Sequence, residues 1–213
     1  MSSTLAGGVE GWVRSRMASS RARHSRGKNR RKDHLRFRRH FLEQLEDRRM
    51  LSTTVAHWIG DSGNWSDPAH WDIGVVPNNS GANTYAVVID LPGSDPTVTV
   101  DQSVSVSSLT NSEAVTIPNG QSLSVNNGMV LNGTVILASS GSYASLYFNG
   151  TQALTGTGEV VLGGSSSNNV VYVRGDGGSN PATLTIGAGI TIHGSQGGSI
   201  SGYGNDTLIN QGT

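Results

Sequence analysis

No cysteine occurs among the 213 residues, which excludes a disulfide framework, a thiolate zinc site and a cysteine nucleophile together. Lysine and arginine are almost missing from the greater part of the chain: beyond residue 54 only Arg174 remains, against ten carboxylates. No apolar run approaches the ~20 residues that a membrane-spanning helix needs, so no transmembrane helix is expected. Aromatic residues make up 6% of the chain, and beyond residue 54 no window of useful length repeats its apolar residues at helical spacing. Turn formers are abundant instead, with 25 of the 29 glycines after residue 54 among frequent Ser, Thr and Asn. Without apolar residues such a mix would describe a disordered linker. Here Val, Ile and Leu recur in short clusters as far as Ile209.

The formal net charge of zero hides a partition. Residues 1–54 hold 14 of the 15 basic residues and five carboxylates, a net +9, which leaves −9 for the remainder. Charge asymmetry of this size marks two parts suited to different surroundings. Residues 1–32 read as a disordered basic leader, since Arg14, Arg16, Arg21, Arg23, Arg26, Lys28, Arg30 and Arg31 stand among Ser and His with little to bury. An arginine-rich arm can neutralise phosphates, but no folded nucleic-acid reader follows it. A solvated extension that engages the export machinery is therefore the preferred reading over nucleic-acid binding.

Over residues 33–54 the pattern changes. Phe37, Phe41 and Leu45 fall at i, i+4 and i+8 with Leu35 and Leu42 beside them, which predicts a short amphipathic helix with Arg36, Arg38, Arg39, Arg48 and Arg49 elsewhere on its surface. Such a helix can rest on an anionic membrane surface or dock on an export component. The overlong basic segment and the brief polar stretch after Arg49 do not form an ordinary signal peptide. Leu45-Glu46-Asp47-Arg48-Arg49-Met50-Leu51-Ser52, preceded by Phe41-Leu42-Glu43-Gln44, resembles the LEPR-XLL type motif of very large bacterial surface and extracellular proteins. Asp47 stands where that motif has Pro, and Met50 where it has Leu. The resemblance implies a sorting role for Leu45, Glu46, Arg48, Leu51 and Ser52, and a bacterial cell-surface or extracellular location.

From residue 55 to 213 the sequence predicts an all-β solenoid. Apolar-rich strands are expected at 86–89, 97–100, 104–109, 114–117, 122–125, 129–137, 144–148, 159–162, 170–173, 183–186, 190–192 and 207–209, each bounded by Gly, Asn, Asp, Ser or Pro. Leu131-Asn132-Gly133-Thr134-Val135-Ile136-Leu137 is answered 23–25 residues later by Leu154-Thr155-Gly156-Thr157-Gly158-Glu159-Val160-Val161-Leu162, within the ~20–50-residue coil of repeat folds. A right-handed parallel β-helix fits best, with Val, Ile and Leu stacked inside, Gly and Asn at the corners, and polar ladders between coils. An antiparallel sandwich is the alternative. Residues 202–213 read as a continuing coil and not a polar cap, so the chain is expected to be the opening portion of a longer protein.

Residues 55–80 carry Trp58, Trp65 and Trp71 among turn formers. Three indoles can seal the first coil as a cap, or their flat faces can stack on sugar rings. Gly63-Asn64-Trp65, Trp71 and Gly74-Val75-Val76-Pro77 together resemble the opening segment of autotransporter-like exported β-proteins.

Candidate chemistry is sparse. Gly60-Asp61-Ser62-Gly63 spells the nucleophile loop of trypsin-like serine proteases and lies close to His57, but no barrel precedes it to supply a base and an orienting carboxylate. A turn is the preferred reading. Lyases on β-helices use basic residues against uronates, and only Arg174 is present. Hydrolases need paired carboxylates, and Asn205-Asp206-Thr207 with His193-Gly194 supplies only a fragment of such a site. Asp90, Asp95, Asp101 and Asp176 sit at turns where calcium can bind, but without β-roll spacing, so Asx turns are preferred and calcium is the alternative. Arg174-Gly175-Asp176 spells the integrin-binding tripeptide and reads as a corner. His70 and His193 stand alone. No catalytic, cofactor or metal residue is assigned. The sequence thus points to a non-catalytic exported stalk or adhesin that meets envelope or extracellular glycans or proteins, with a carbohydrate-binding or carbohydrate-active β-helix as the alternative.

Overall fold

The computed structural model describes residues 52–175 and 179–213. The basic leader, the helix expected at 33–54 and all of the sorting motif except Ser52 lie outside the described residues. Within them the chain is a parallel β-helix whose coils run in turn through three faces.

The first coil holds β1 (Thr53–His57) and β2 (Gly63–Asn64). The second holds β3 (Thr84–Ile89), β4 (Thr97–Thr99) and β5 (Val104–Val106). The third comprises β6 (Ser108–Asn111), β7 (Ala114–Pro118) and β8 (Ser122–Val125). Next come β9 (Met129–Leu131), β10 (Thr134–Ser139) and β11 (Ala144–Asn149). A fifth coil has β12 (Gln152–Gly156), β13 (Glu159–Gly164) and β14 (Asn169–Arg174). The sixth has β15 (Thr183–Ile186), β16 (Thr191–Gly194) and β17 (Gly198–Gly202), and β18 (Thr207–Asn210) follows. Each strand pairs in parallel with its counterpart in the next coil, giving a first sheet β1-β3-β6-β9-β12-β15-β18, a second β2-β4-β7-β10-β13-β16 and a third β5-β8-β11-β14-β17.

Register follows the two-residue period of a strand, which sends alternate side chains to the interior. Ala56, Val87, Leu109, Met129, Leu154 and Ile186 succeed one another inside the first sheet. Val98, Val115, Val135 and Val160 do so inside the second, and Val106, Val125, Phe148 and Val173 inside the third. All are buried. At ~1.5–3 kcal/mol for each fully buried aliphatic or Phe side chain, these columns dominate the stability of the stack. The repeat seen in the sequence is a coil displacement: Thr134 faces Glu159, 25 residues on.

Corners between the first and second sheets are two residues long, at 112–113, 132–133 and 157–158. The coils approach so closely there that a Cβ at Gly133 would overlap the carbonyl oxygen of Glu113, and one at Gly158 would overlap that of Gly133. Such a corner needs glycine for space. Elsewhere buried asparagines close the turns. Asn169 accepts a hydrogen bond from Ser139 N–H (3.1 Å) and turns its amide toward the carbonyls of Gly163 (3.0 Å), Ser166 (3.2 Å) and Gly197 (3.2 Å).

Two expected strands are each divided. The segment 104–109 breaks at Ser107 into β5 and β6, and 129–137 breaks at Asn132-Gly133 into β9 and β10, because corners this short leave no polar gap in the sequence. Strands β1, β2, β12 and β17 were not expected. Gly198-Ser199-Ile200-Ser201-Gly202 carries one large apolar residue, and its extended form comes from pairing with β14.

Candidate functional site

The outer face of the third sheet collects most of the tyrosine in the protein. On β11 and β14, Leu146, Phe148, Val171 and Val173 point inward, which turns Tyr147 and Tyr172 outward. The coil displacement of 25 residues then sets Tyr147 directly against Tyr172. Their ring centroids lie 5.8 Å apart with the planes at 73°, an edge-to-face arrangement that ring quadrupoles favour. Tyr143 leads into β11 and is 47% exposed; Tyr203 follows β17 and is 59% exposed. With Ser145, Val170, Arg174 and Gly175 these four residues line a groove of about 560 Å³. Only Tyr85, of the five tyrosines in the chain, is elsewhere.

Arg174 ends β14 beside this array. Its guanidinium carbon lies 4.4 Å from the Tyr147 ring centroid and 6.0 Å from that of Tyr172. Exposed cation–π contacts are worth ~0.5–1 kcal/mol, enough to orient the side chain. No carboxylate among the described residues pairs with it, and its side chain makes no hydrogen bond to them. Arg174 is in register with Asn149, whose amide donates to Asn126 Oδ1 (2.8 Å), as Asn126 in turn donates to Ser105 Oγ (2.9 Å). This ladder runs up the stack and stops at the arginine, which lies over the rings while the buried Asn149 Oδ1 stays unpaired.

Asp206 fastens the rim. Its Oδ1 accepts from Ala182 N–H (2.7 Å), and its Oδ2 from Gly175 N–H (3.0 Å) and Tyr203 N–H (3.1 Å). The bond from Ala182, and next that from Gly175, hold this carboxyl below the usual aspartate value against an opposing desolvation. One carboxylate thus ties three backbone segments together, two of which, at Gly175 and Tyr203, line the groove.

The tryptophans proposed for sugar stacking lie elsewhere and face inward. Trp58, Trp65 and Trp71 are 2%, 0% and 1% exposed, so none offers a ring face to a sugar. Trp71 packs edge-on against Trp58 (5.0 Å, 86°) and Trp65 (4.8 Å, 61°). Each indole N–H is satisfied, by the carbonyls of Asp61, Pro77 and Trp65 in turn. The platform reading fails because the loop between β1 and β3 folds these rings into the interior of the first coil.

Ser62 accepts from Thr97 N–H (2.9 Å), and His57 uses its backbone N–H on Asp72 (2.8 Å); both serve the loop. Asp101 accepts from Ser66 N–H (3.0 Å) and Ser66 Oγ (2.5 Å), and Asp67 caps the short 3-10 turn Pro68–His70. On the second sheet His193 Nε2 meets Glu159 Oε2 at 2.8 Å, and that bond foremost lowers the Glu159 pKa. Among the described residues no three His, Asp or Glu side chains converge to hold a metal, and no helix is long and apolar enough to cross a membrane. Ser52 is exposed ahead of β1, and Asp176 lies outside the described residues.

The tyrosine groove was not singled out from the sequence. Its signal was present, because the 25-residue displacement read from the apolar echo also separates Tyr147 from Tyr172. Compared with protein-family models, curated proteins and solved structures, the chain matches none of them.

Proposed function

We propose that the chain is a non-catalytic β-solenoid, exported to the surface or surroundings of a bacterium, that serves as a stalk and presents an adhesive face. The observation that carries this reading is the groove formed by Tyr143, Tyr147, Tyr172 and Tyr203 around Arg174. Tyrosine supplies large amphipathic contact area at small entropic cost, which is why recognition surfaces favour it. A regular sheet holds these rings in fixed positions, so little ordering remains to be done on binding. The basic leader and the LEPR-XLL resemblance support the surface location.

The test uses the full chain on immobilised extracellular polysaccharides and cell-surface proteins, in about 0.5 M salt to screen the leader's charges. Retention is expected, and the double substitution Tyr147→Ser, Tyr172→Ser should abolish it without loss of β-sheet circular dichroism. Absence of retention on every surface, retention that survives the double substitution, or release of new polysaccharide ends overturns the reading.

A further inference from the structure

Resting on that adhesive reading, we propose that the groove binds an acidic polysaccharide, with pyranose rings stacked on the tyrosines and a sugar carboxylate on the Arg174 guanidinium.

Three observations converge. First, Arg174 is the only Lys or Arg beyond residue 54, and it stands inside the one gathering of tyrosines among the described residues. A cation kept for solubility would have no reason to share that position. Second, the guanidinium is held over Tyr147 and beside Tyr172, yet its side chain is free of protein acceptors among the described residues. Its planar fork matches a carboxylate in two parallel hydrogen bonds, and the rings fix its direction beforehand. Third, the groove crosses the outer faces of β11 and β14 and reaches Tyr203 just beyond β17, with neighbouring strands ~4.8 Å apart. A width of that order takes a short run of linked sugars, as a flat polymer would present, and not a single small anion.

The surrounding negative charge does not cancel this site. Exposed charges beyond ~8 Å are largely screened at physiological ionic strength. Among the described residues the carboxylate at the rim is Asp206, which is already answered by three backbone N–H groups. Phenol hydroxyls complete the recognition chemistry, because those of Tyr143, Tyr147, Tyr172 and Tyr203 make no hydrogen bond to another described residue and remain available to sugar hydroxyls.

The test must ignore the leader, which attracts any polyanion. The full chain labelled with 3-fluorotyrosine gives one fluorine resonance for each of its five tyrosines, assigned by single Tyr→Phe substitutions. Titration with tetramannuronate should shift the lines of Tyr143, Tyr147, Tyr172 and Tyr203 and leave Tyr85 in place. Arg174→Gln should weaken binding about ten-fold, the order expected for one lost charge-assisted pair. The carboxyl-reduced tetramer should bind equally weakly. Equal shifts with the reduced tetramer overturn the acidic ligand and leave the adhesive face standing. Lines unmoved by either sugar, in a chain still retained on a protein surface, overturn the saccharide and keep adhesion. Concentration-dependent broadening of the same four lines without sugar assigns the groove to a second copy of the chain and overturns the inference.

Discussion

Tyr147 and Tyr172 face each other across two coils with ring centroids 5.8 Å apart, and the cation of Arg174 lies 4.4 Å from the first of them. The pair occupies outer positions, so its geometry is set by the inward columns of the same strands and not by its own burial. Coupling between rings is worth ~0.5–1.5 kcal/mol and an exposed cation–π contact ~0.5–1 kcal/mol. A double-mutant cycle on Tyr147→Ser and Arg174→Gln should therefore give a coupling of about 0.5–1 kcal/mol in urea unfolding. A coupling near zero would mean that the rings do not hold the guanidinium.

Asn169 is expected to matter more than any tyrosine. It is buried and serves four backbone groups in three successive coils, at Ser139, Gly163, Ser166 and Gly197. Asn169→Ala strands the Ser139 N–H and leaves carbonyls without their donor, at ~1–3 kcal/mol for each unsatisfied buried group. A loss of about 2–4 kcal/mol, read as a lower urea midpoint, is the expected outcome. Asn169→Asp should be nearly as harmful, since it removes the donor and buries a charge.

Much of this fold was legible because strands and corners leave different residues behind. The apolar echo between 131–137 and 154–162 is the register of β10 with β13, and Val and Leu at alternate positions mark the inner columns. Corners such as Asn132-Gly133 were hidden, because two residues at a sharp bend do not interrupt an apolar run. Strand β17 was hidden for the opposite reason: it is extended through backbone pairing with β14, for which composition gives no sign. The Trp cluster reads from sequence as either an inward cap or an outward sugar platform, and only the path of the loop around it, which buries all three rings, decides between them. Tyr143 and Tyr203 lie 60 positions apart and meet only when several coil displacements are known, so the groove could not be assembled from local spacing.

The stability of the groove rim should depend on acid. Asp206 has its pKa lowered in the folded chain by the Ala182 and Gly175 N–H bonds. A carboxyl with a depressed folded value contributes stability that is fully present above its unfolded value of ~3.9, and that is lost as pH falls from there through the folded value. Amide exchange at Gly175, Ala182 and Tyr203, corrected for intrinsic rates, should accelerate as pH drops below about 4. In Asp206→Asn the same amides should exchange faster at neutral pH and lose this acid dependence.

Trp71 is the expected keystone of the first coil. It touches both other indoles edge-on, donates its Nε1–H to the Trp65 carbonyl at 2.9 Å, and bridges Trp58 through the backbone. Removing a buried indole costs ~3–5 kcal/mol through lost transfer energy and the cavity left behind. Trp71→Ala should therefore lower stability by about that amount and abolish the near-ultraviolet circular dichroism that coupled indoles produce. Trp71→Phe keeps most of the volume but leaves the Trp65 carbonyl without its donor, a loss of about 1–3 kcal/mol. Because all three rings are inside, tetramannuronate should leave their emission unchanged in a Trp12→Phe chain, which removes the leader's tryptophan, while the tyrosine resonances move. A saccharide-dependent shift in the emission of Trp58, Trp65 or Trp71 would return sugar stacking to the first coil.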